Sequence, residues 1–227
     1  QMEDHYFGSI HHRALGYMEE VEEELLRLGV AVKTRHNEVA PCQFEFAPQH
    51  CEANLACDQN QVMMLTMRRL AHRHGLRLLL HEKPFANLNG SGKHVNFSLV
   101  DSEGRNLLSP SSNPRRNVQF LTYLAAFVLG LWEHGGLLRA ATACPGNTHR
   151  LGGHEAPPVI MSIYLGEVIT RVLDRIDEEI DQIGGRRPMD LGLNRLPSIR
   201  ADNTDRNRTA PIAFTGNKLE FRSPGSS

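Results

Sequence analysis

Long helical segments alternate with short strand-like runs along this chain, and that order restricts the fold more than any other feature of the sequence. Within each segment, apolar residues recur at the spacing of one helix face, as Val21, Leu25 and Leu28 do in the first. The segments of this kind are Gly8–Gly29, Cys51–His74, Asn117–Arg139 and Val159–Ile183. Long helices separated by pairs of short strands predict an α+β domain, with the helices packed on a largely antiparallel sheet.

The predicted strands lie between these helices. Val30–Lys33 and His36–Phe46 follow the first helix, and the second of these runs is predicted to be one strand, with Pro41 at a sheet edge or a bulge. Leu76–Leu80 and His94–Ser98 flank a turn that is rich in glycine and asparagine. This arrangement predicts a strand, a loop and a second strand.

The composition argues against several classes of function. A formal charge of -1 over 227 residues provides no positive field for binding nucleic acid or an anionic membrane. The four cysteines show no CxxC spacing, which predicts reduced thiols in a cytoplasmic protein rather than a zinc site or a disulfide framework. The helix Asn117–Arg139 is predicted to be buried because it is apolar around much of its girth. Its longest apolar stretch, Leu121–Trp132, is too short to span a bilayer and contains Thr122 and Tyr123.

The glycine-rich stretch Gly90–Lys93 resembles half of a phosphate-binding P-loop but lacks the rest of that motif. Asn87 stands where the opening glycine is required, His94 stands where a hydroxyl should hold magnesium, and no helix pattern follows. A glycine loop that ends in an imidazole suits metal or substrate binding, because glycine lets the backbone approach a ligand closely. A polar hairpin without a site explains the same residues equally well.

Glu38 and Glu45 stand among apolar neighbours in the predicted strand His36–Phe46. Strict alternation puts the two carboxylates on opposite faces, whereas a bulge at Pro41 would bring them to the same face. A buried carboxylate is costly unless it is paired or bound to a cation. Solvated glutamates are common, so exposure is the favoured interpretation from spacing alone.

The run Lys218–Arg222 is the last predicted strand, and it places Glu220 between two cations on one face. Upstream, Arg206 and Arg208 form a pair suited to phosphate oxygens. Each of these residues alone is more often a surface residue than part of a site. Together, three carboxylates, one loop imidazole and several arginines suit Mg²⁺ or Mn²⁺ and phosphoryl transfer. The residues thus predict a metal-dependent enzyme that uses ATP.

Four motifs occur here in the order in which they occur in glutamine synthetases. They are Asn37–Pro41 with Gln43–Glu45, Asn89–His94, Arg150 with Glu155–Pro157, and Lys218–Arg222. The chain most resembles the type III class, through HEKPFANLNGSGKH, NTDRNRTAP and AFTGNKLEFR. The resemblance covers essentially the whole chain and implies a partial glutamine synthetase catalytic domain over residues 1–227, with a curved and largely antiparallel sheet.

The resemblance implies two sites for Mg²⁺ or Mn²⁺. Glu38 and Glu45 match ligands of the ion that organises the substrate glutamate, and His94 and Glu220 match ligands of the ion that binds ATP phosphates. The family supplies a further glutamate to each site from a strand with no counterpart here. The chain is therefore expected to lack that strand, the small N-terminal domain and the C-terminal part of the catalytic domain, and its activity in isolation stays open.

The resemblance also implies a glutamate-binding loop. Asn89, Gly90 and His94 match the positions of that loop. Arg150 and Arg222 match arginines that reach the carboxylates of glutamate or the transferred phosphoryl group, which makes Arg150 a catalytic candidate.

Nucleotide contacts are implied at Asn96 and Ser98, and phosphate contacts at Arg208 and Lys218. Arg208 counts as catalytic as well. Glu155 resembles the glutamate of a flap that closes over the acyl phosphate and helps to take a proton from ammonium.

The implied reaction is the ATP-dependent ligation of ammonia to the γ-carboxylate of L-glutamate through γ-glutamyl phosphate, which gives glutamine. One alternative is a γ-glutamyl ligase that acts on another amine, such as a polyamine. Another is a non-catalytic member of the fold, which is disfavoured because every ligand expected in this segment is present. The family further implies a ring-shaped homo-oligomer and a cytoplasmic role in nitrogen metabolism, with no nucleic acid or membrane partner.

Overall fold

The computed structural model places helices and strands in the alternating order that the sequence predicts. In chain order they are α1 (His12–Arg27), β1 (Val32–Asn37), β2 (Phe44–Pro48), α2 (Ala53–Arg73), β3 (Val95–Phe97), α3 (Val118–Thr142), β4 (Ile163–Tyr164), α4 (Gly166–Asp174), β5 (Pro188–Met189), β6 (Ile199–Arg200), β7 (Ile212–Phe214) and β8 (Leu219–Phe221). The structure describes residues 8–85, 87–145, 147, 151–153, 156–174, 188–189, 199–200, 205 and 208–223. The chain divides into two compact units, a first unit Gln1–Ser91 and a second unit Gly92–Ser226.

In the first unit, α1 and α2 pack together, and partly buried side chains of the antiparallel pair β1–β2 pack against the same core. This confirms the amphipathic stripe of the first segment at Val21 and Leu25, whereas Leu28 follows the end of α1 and is exposed, and α1 begins only at His12. Gly29 ends α1 with a φ of 81°, a conformation that glycine adopts without steric cost. The buried residues of this core are Tyr17, Met18, Val21, Leu25, Val30, Met63, Leu70 and Ala71.

The hydroxyl of Tyr17 joins α1 to α2 by donating a hydrogen bond of 2.8 Å to the carbonyl oxygen of Met67. Burial raises the pKa of Tyr17 from 10.0 to about 12. We expect Tyr17→Phe to lower the free energy of unfolding by about 1 kcal/mol, because the hydrogen bond between α1 and α2 is lost. Urea unfolding of the variant and the wild type at neutral pH measures this difference.

The same substitution changes the response to alkaline pH. Because the pKa of Tyr17 is higher in the folded than in the unfolded chain, its contribution to stability is complete below pH 10.0 and is lost as the pH rises to about 12. This part of the alkaline loss should disappear in Tyr17→Phe and persist in Tyr123→Phe, a control at an exposed tyrosine. Equal alkaline losses in both variants would contradict the assignment to Tyr17.

The second unit contains a four-stranded sheet in the order β3-β8-β7-β4. β8 pairs antiparallel with β3 and β7, and β4 joins β7 in parallel, which confirms an α+β fold with a largely antiparallel sheet. Side chains of α3 and α4 pack with those of the sheet. The buried residues of this core are Leu108, Phe120, Leu124, Leu131, Ile169, Ile212, Phe214 and Leu219.

Three expectations for the secondary structure are wrong, two for strands and one for a helix. His36–Phe46 is not one strand, because the chain turns between β1 and β2 and forms a hairpin. Leu76–Leu80 is not a strand, since Leu76 and Leu78 pack against the first core while β3 takes β8 as its partner. Val159–Tyr164 is not helical, and its end forms β4 because the main chain of Ile163 and Tyr164 pairs with β7. The predicted helix begins at Gly166, and its part after residue 174 lies outside the described residues.

α3 is less buried than its sequence predicts. Phe120, Leu124 and Leu131 form a buried stripe, whereas the side chain of Trp132 is 86% exposed. The prediction of a buried helix is therefore wrong for all but this stripe, because only one side of α3 meets the core within the described part of the chain. The expectation that this helix is too short and polar to span a bilayer is wrong by length and composition, because among the described residues Val118–Ala140 alone is long and apolar enough to cross a membrane. The core helix of a soluble protein passes the same test.

Candidate functional site

The β1–β2 hairpin brings Glu38 and Glu45 together with an imidazole. His36 faces Glu45 directly across the antiparallel ladder, and its Nε2 lies 2.9 Å from Oε2 of Glu45. The same nitrogen lies 3.7 Å from Oε1 of Glu38. One ligand atom from each of the three side chains falls within 4.8 Å of the others. The carboxylates thus meet through a turn and a strand register, not through a bulge in one strand.

The turn between β1 and β2 brings these side chains together. The amide of Glu38 donates to the carbonyl of Gln43 over 2.9 Å, and Cys42 adopts a left-handed φ of 54° after Pro41. The turn leaves the side chain of Glu38 buried, so the exposure favoured from spacing is wrong for this residue. The side chain of Glu45 is 41% exposed.

Two carboxylates and an imidazole form a ligand set that suits Mg²⁺ or Mn²⁺. The sequence does not identify His36 as a ligand, because a single strand over His36–Phe46 would place it far from Glu45. Its position two residues before Glu38 becomes informative only when the turn sets Glu45 opposite it.

Gln43 connects the hairpin turn to the glycine loop within the first unit. Its side-chain nitrogen donates to the carbonyl of Ser91 over 2.9 Å, and its side-chain oxygen accepts from the amide of Ser91 over 3.0 Å. This two-point contact holds the backbone next to Gly90, which is itself buried, while Asn89 is half-buried. The structure therefore ties the hairpin that carries Glu38 and Glu45 to the loop predicted to bind glutamate.

We expect Gln43→Leu to lower the free energy of unfolding by about 1–3 kcal/mol, because the buried backbone groups of Ser91 lose two hydrogen bonds. Hydrogen exchange should also speed up at the amide of Ser91. Gln49→Leu is the matched control, since among the described residues the side chain of Gln49 bonds only to exposed His50. Equal exchange at Ser91 in the two variants would contradict the role of Gln43.

In the second unit, β3 and β8 position the other predicted metal ligands. His94 immediately precedes β3, and Asn96 of β3 faces Glu220 of β8 in the antiparallel register. Nδ1 of His94 lies 3.4 Å from Oε1 of Glu220. Nε2 of His94 is buried and has no hydrogen-bond partner among the residues that the structure describes. In the tautomer that carries its proton on Nδ1, Nε2 keeps a lone pair, and an unpartnered buried nitrogen of this kind fits a divalent cation.

The carboxylate of Glu220 is held in its charged form. Burial alone would raise its pKa, but the hydrogen bonds and charges of His94 and Arg222 outweigh burial and lower the pKa from 4.5 to about 2. Nε of Arg222 donates to Oε2 of Glu220 over 2.8 Å. A carboxylate that stays ionised at neutral pH is a ligand suited to a hard cation.

Arg222 is buried and makes a second set of contacts to Asp205. Its Nη1 donates to the backbone oxygen of Asp205 over 2.7 Å and to the carboxylate oxygen Oδ2 over 3.1 Å. Asp205 lies within the motif NTDRNRTAP, but its spacing in the sequence does not distinguish it from a surface aspartate. The role of Arg222 toward glutamate stays a prediction.

The predicted nucleotide residues lie on or near the same strands. Asn96 and Ser98 are exposed, and the hydroxyl of Ser98 donates to Oδ1 of Asn106 over 2.7 Å. Arg208 and Lys218 are half-buried. No contact in the structure tests their phosphate-binding role.

The structure does not describe two of the predicted catalytic residues. Arg150 and Glu155 lie outside the described residues, as does Arg206. Their proposed roles stay predictions.

The chain has relatives of known family. A family model described as "Glutamine synthetase, catalytic domain" matches residues 3–162. The chain is 50% identical over 228 residues to a "Type-3 glutamine synthetase" of Dictyostelium discoideum and 49% identical over 231 residues to a "Glutamine synthetase" of Bacteroides fragilis. Both alignments cover 100% of this chain, but only 31% and 32% of these relatives, so the chain spans about a third of their length.

Two solved structures share the fold. "GmaS/ADP complex-Conformation 1" superposes with a TM-score of 0.68 at 20% identity, over 99% of this chain and 44% of that one. "Apo GmaS without ligand" has a TM-score of 0.62 at 22% identity, over 94% of this chain and 40% of that one. The resemblance in sequence and the likeness in fold agree, and the chain belongs to the glutamine synthetase catalytic-domain family.

Proposed function

We propose that the protein containing this chain joins ammonia to the γ-carboxylate of L-glutamate at the expense of ATP, with γ-glutamyl phosphate as the intermediate and glutamine as the product. Glutamine synthetase relatives support ligase chemistry of this type. The observation that carries the proposal is the clustering of the predicted ligands, with Glu38 beside Glu45 in one unit and His94 beside Glu220 in the other.

The residues fit the divalent cations that the family implies. Glu38 and Glu45, with His36 beside them, would hold one ion, and His94 and Glu220 would hold another. A bound Mg²⁺ or Mn²⁺ neutralises and orients phosphate and carboxylate oxygens. The protein prepares for this by keeping Glu220 ionised through the hydrogen bonds and charges of His94 and Arg222.

In the proposed reaction, a γ-carboxylate oxygen of glutamate attacks the γ-phosphorus of ATP, and ADP leaves. The nitrogen of ammonia then attacks the γ-carbonyl carbon, and phosphate leaves with the bonding pair. Arg208 and Lys218 stabilise the negative charge of the phosphate oxygens, because cations placed at such oxygens lower the barrier to phosphoryl transfer. Glu155 accepts the proton that ammonium must lose.

The loop at Asn89 and Gly90 binds the glutamate substrate in this proposal. Gly90 lets the main chain pass close to Glu82, and Gln43 fixes the following residue Ser91 at two points. A loop held in this way is pre-organised, so little conformational entropy is lost when a substrate binds.

The test is glutamate- and ammonium-dependent release of phosphate from ATP with Mg²⁺ or Mn²⁺, in the longer protein and in this chain side by side. Activity in the longer protein that Glu220→Gln abolishes supports the proposal. Activity with polyamines but not with ammonium would favour a γ-glutamyl ligase of another amine. Folded protein that binds nucleotide but releases no phosphate with any amine would overturn the enzymatic role.

The proposal includes a cytoplasmic, ring-shaped homo-oligomer. Light scattering on the longer protein measures its mass in solution. A monomer that retains full activity would contradict the oligomeric part of the proposal and leave the reaction standing.

A further inference from the structure

Asp205 is a buried carboxylate with no role in the reaction as described above. Its exposed fraction is 5%, and it lies just before the loop that carries Arg208. Oδ2 of Asp205 accepts a hydrogen bond from Nη1 of Arg222 over 3.1 Å and another from the amide of Ala210 over 3.2 Å. A charge buried this deeply is costly unless it is paired, and Arg222 supplies the pairing charge.

Arg222 uses two sides of its guanidinium group. Nη1 faces Asp205, where it donates to both the backbone oxygen and the carboxylate, and Nε faces Glu220 at 2.8 Å. Because the guanidinium group is planar and rigid, fixing Nη1 on Asp205 also fixes the direction of Nε toward Glu220. The orientation of the Glu220 carboxylate therefore depends on Asp205 through Arg222.

The same aspartate shapes the arginine loop. Its backbone oxygen accepts from the amide of Arg208 over 3.2 Å, and Arg208 has a left-handed φ of 52°. Its carboxylate holds the amide of Ala210 at the other end of that turn. One residue thus anchors both the turn that presents Arg208 and the guanidinium group that orients Glu220.

Stability alone does not account for this buried pair. Replacing a buried ion pair by apolar groups of similar volume often leaves a protein equally stable or makes it more stable. The directional contacts of Asp205 instead match what a precise ligand geometry requires from the residues behind it.

We propose that Asp205 is a positioning residue that orients Glu220 for metal binding through Arg222 and holds the Arg208 turn in the same arrangement. This inference rests on the proposed function, because it takes Glu220 to be a metal ligand. Asp205 itself touches neither metal nor substrate in this scheme, and it acts through the side chain and main chain of its neighbours.

The first experiment measures Mn²⁺ binding to the chain by electron paramagnetic resonance. Asp205→Asn keeps the shape of the side chain and removes its charge, and we expect it to weaken the Glu220-dependent binding of Mn²⁺ about tenfold or more. In the Glu220→Gln background, Asp205→Asn should cause no further loss, because both changes act on the same ligand. Asp101→Asn is the matched control, since Asp101 also pairs with an arginine, Arg105, but in an exposed turn.

The second experiment needs no metal. Exchange of the Nε proton of Arg222 with solvent, followed by nuclear magnetic resonance, should be slow in the wild type and in Asp101→Asn. It should be at least about tenfold faster in Asp205→Asn, because the guanidinium group loses its anchor. This measurement applies to the folded chain, so far-ultraviolet circular dichroism of each variant first establishes that it is folded.

The outcomes separate the two ideas. Unchanged Mn²⁺ binding in Asp205→Asn, where Glu220→Gln does weaken it, would overturn the positioning role and leave the proposed function intact. Mn²⁺ binding that does not depend on Glu220 would overturn the assignment of Glu220 as a metal ligand. The exchange of the Arg222 proton would then test only whether Asp205 holds the guanidinium group of Arg222 in place. An exchange rate that Asp205→Asn leaves unchanged overturns the inference in either case. If Asp205→Asn does not fold, Arg222→Lys replaces it, because lysine lacks the rigid fork that reaches both carboxylates.

Discussion

Arg222→Met is expected to lower the free energy of unfolding by about 3–5 kcal/mol, because it leaves two carboxylates without their shared cation. The side chains of Arg222, Asp205 and Glu220 are 6%, 3% and 17% exposed, so water cannot readily replace the lost contacts. Urea unfolding measures the loss, and hydrogen exchange at the amides of β7 and β8 locates it in the second unit.

The control for this prediction is Arg105→Met. Arg105 also bonds to an aspartate, with its Nε 2.7 Å from Oδ2 of Asp101, but its own side chain is 71% exposed. An exposed pair contributes at most about 1 kcal/mol, so this variant should unfold nearly as the wild type does. Adding Asp205→Asn and Glu220→Gln to Arg222→Met should recover part of the lost stability, because no buried charge is then unpaired. A loss in Arg222→Met no larger than in Arg105→Met would show that water solvates these carboxylates.

Gly90→Ala is the second large effect that the structure predicts. A methyl group on Gly90 would stand 2.5 Å from the carbonyl oxygen of Glu82 and 3.2 Å from Cα of Lys83. Both atoms belong to the main chain and cannot swing aside as the end of a side chain can. We expect the loop to shift and the free energy of unfolding to fall by about 1–3 kcal/mol, as measured by urea unfolding.

Gly16→Ala is the matched control for that substitution. Gly16 lies inside α1, and a methyl group there would meet no atom within 4 Å. Alanine forms helix better than glycine, so this variant should gain about 0.5–1 kcal/mol of stability. The two alanines should therefore act in opposite directions, and a neutral Gly90→Ala would contradict the close approach of the loop to Glu82.

Gly90→Ala also reports on the proposed substrate loop. If this loop binds glutamate, the longer protein carrying Gly90→Ala should show a higher KM for glutamate with a smaller change in the KM for ATP. A displacement of about 1 Å in a reacting group can reduce a rate about a hundredfold, so kcat should fall as well. Equal changes in both KM values would indicate a general loss of folded enzyme instead.

Periodicity was sufficient to predict the helices α1 and α2 and the strand β8. In these elements the apolar side chains alone choose the buried face, and a local pattern carries that information. The same reasoning failed for Leu76–Leu80, whose leucines indicate burial but not the main-chain partner that a strand requires. It also failed for α3. A helix that is apolar on most sides is predicted to be buried, but among the described residues only the stripe of Phe120, Leu124 and Leu131 packs against the core.

The motifs around Glu38, Glu45, His94 and Glu220 were visible in the sequence, and they led to the family that the comparisons confirm. These motifs do not show which other side chains lie next to each predicted ligand. His36 joins the first cluster only because the turn at Pro41 makes a hairpin of one apparent strand.

By itself, the sequence determined the fold class, the family and the residue types available for metal and phosphate, because these depend on composition and local order along the chain. The tertiary structure alone decided which carboxylates are buried and what each one contacts. Asp205 and Arg222 are 17 residues apart, and Gln43 and Ser91 are 48 apart. The energy of such contacts depends on distance and desolvation in three dimensions, so it appears only when the folded chain brings these partners together.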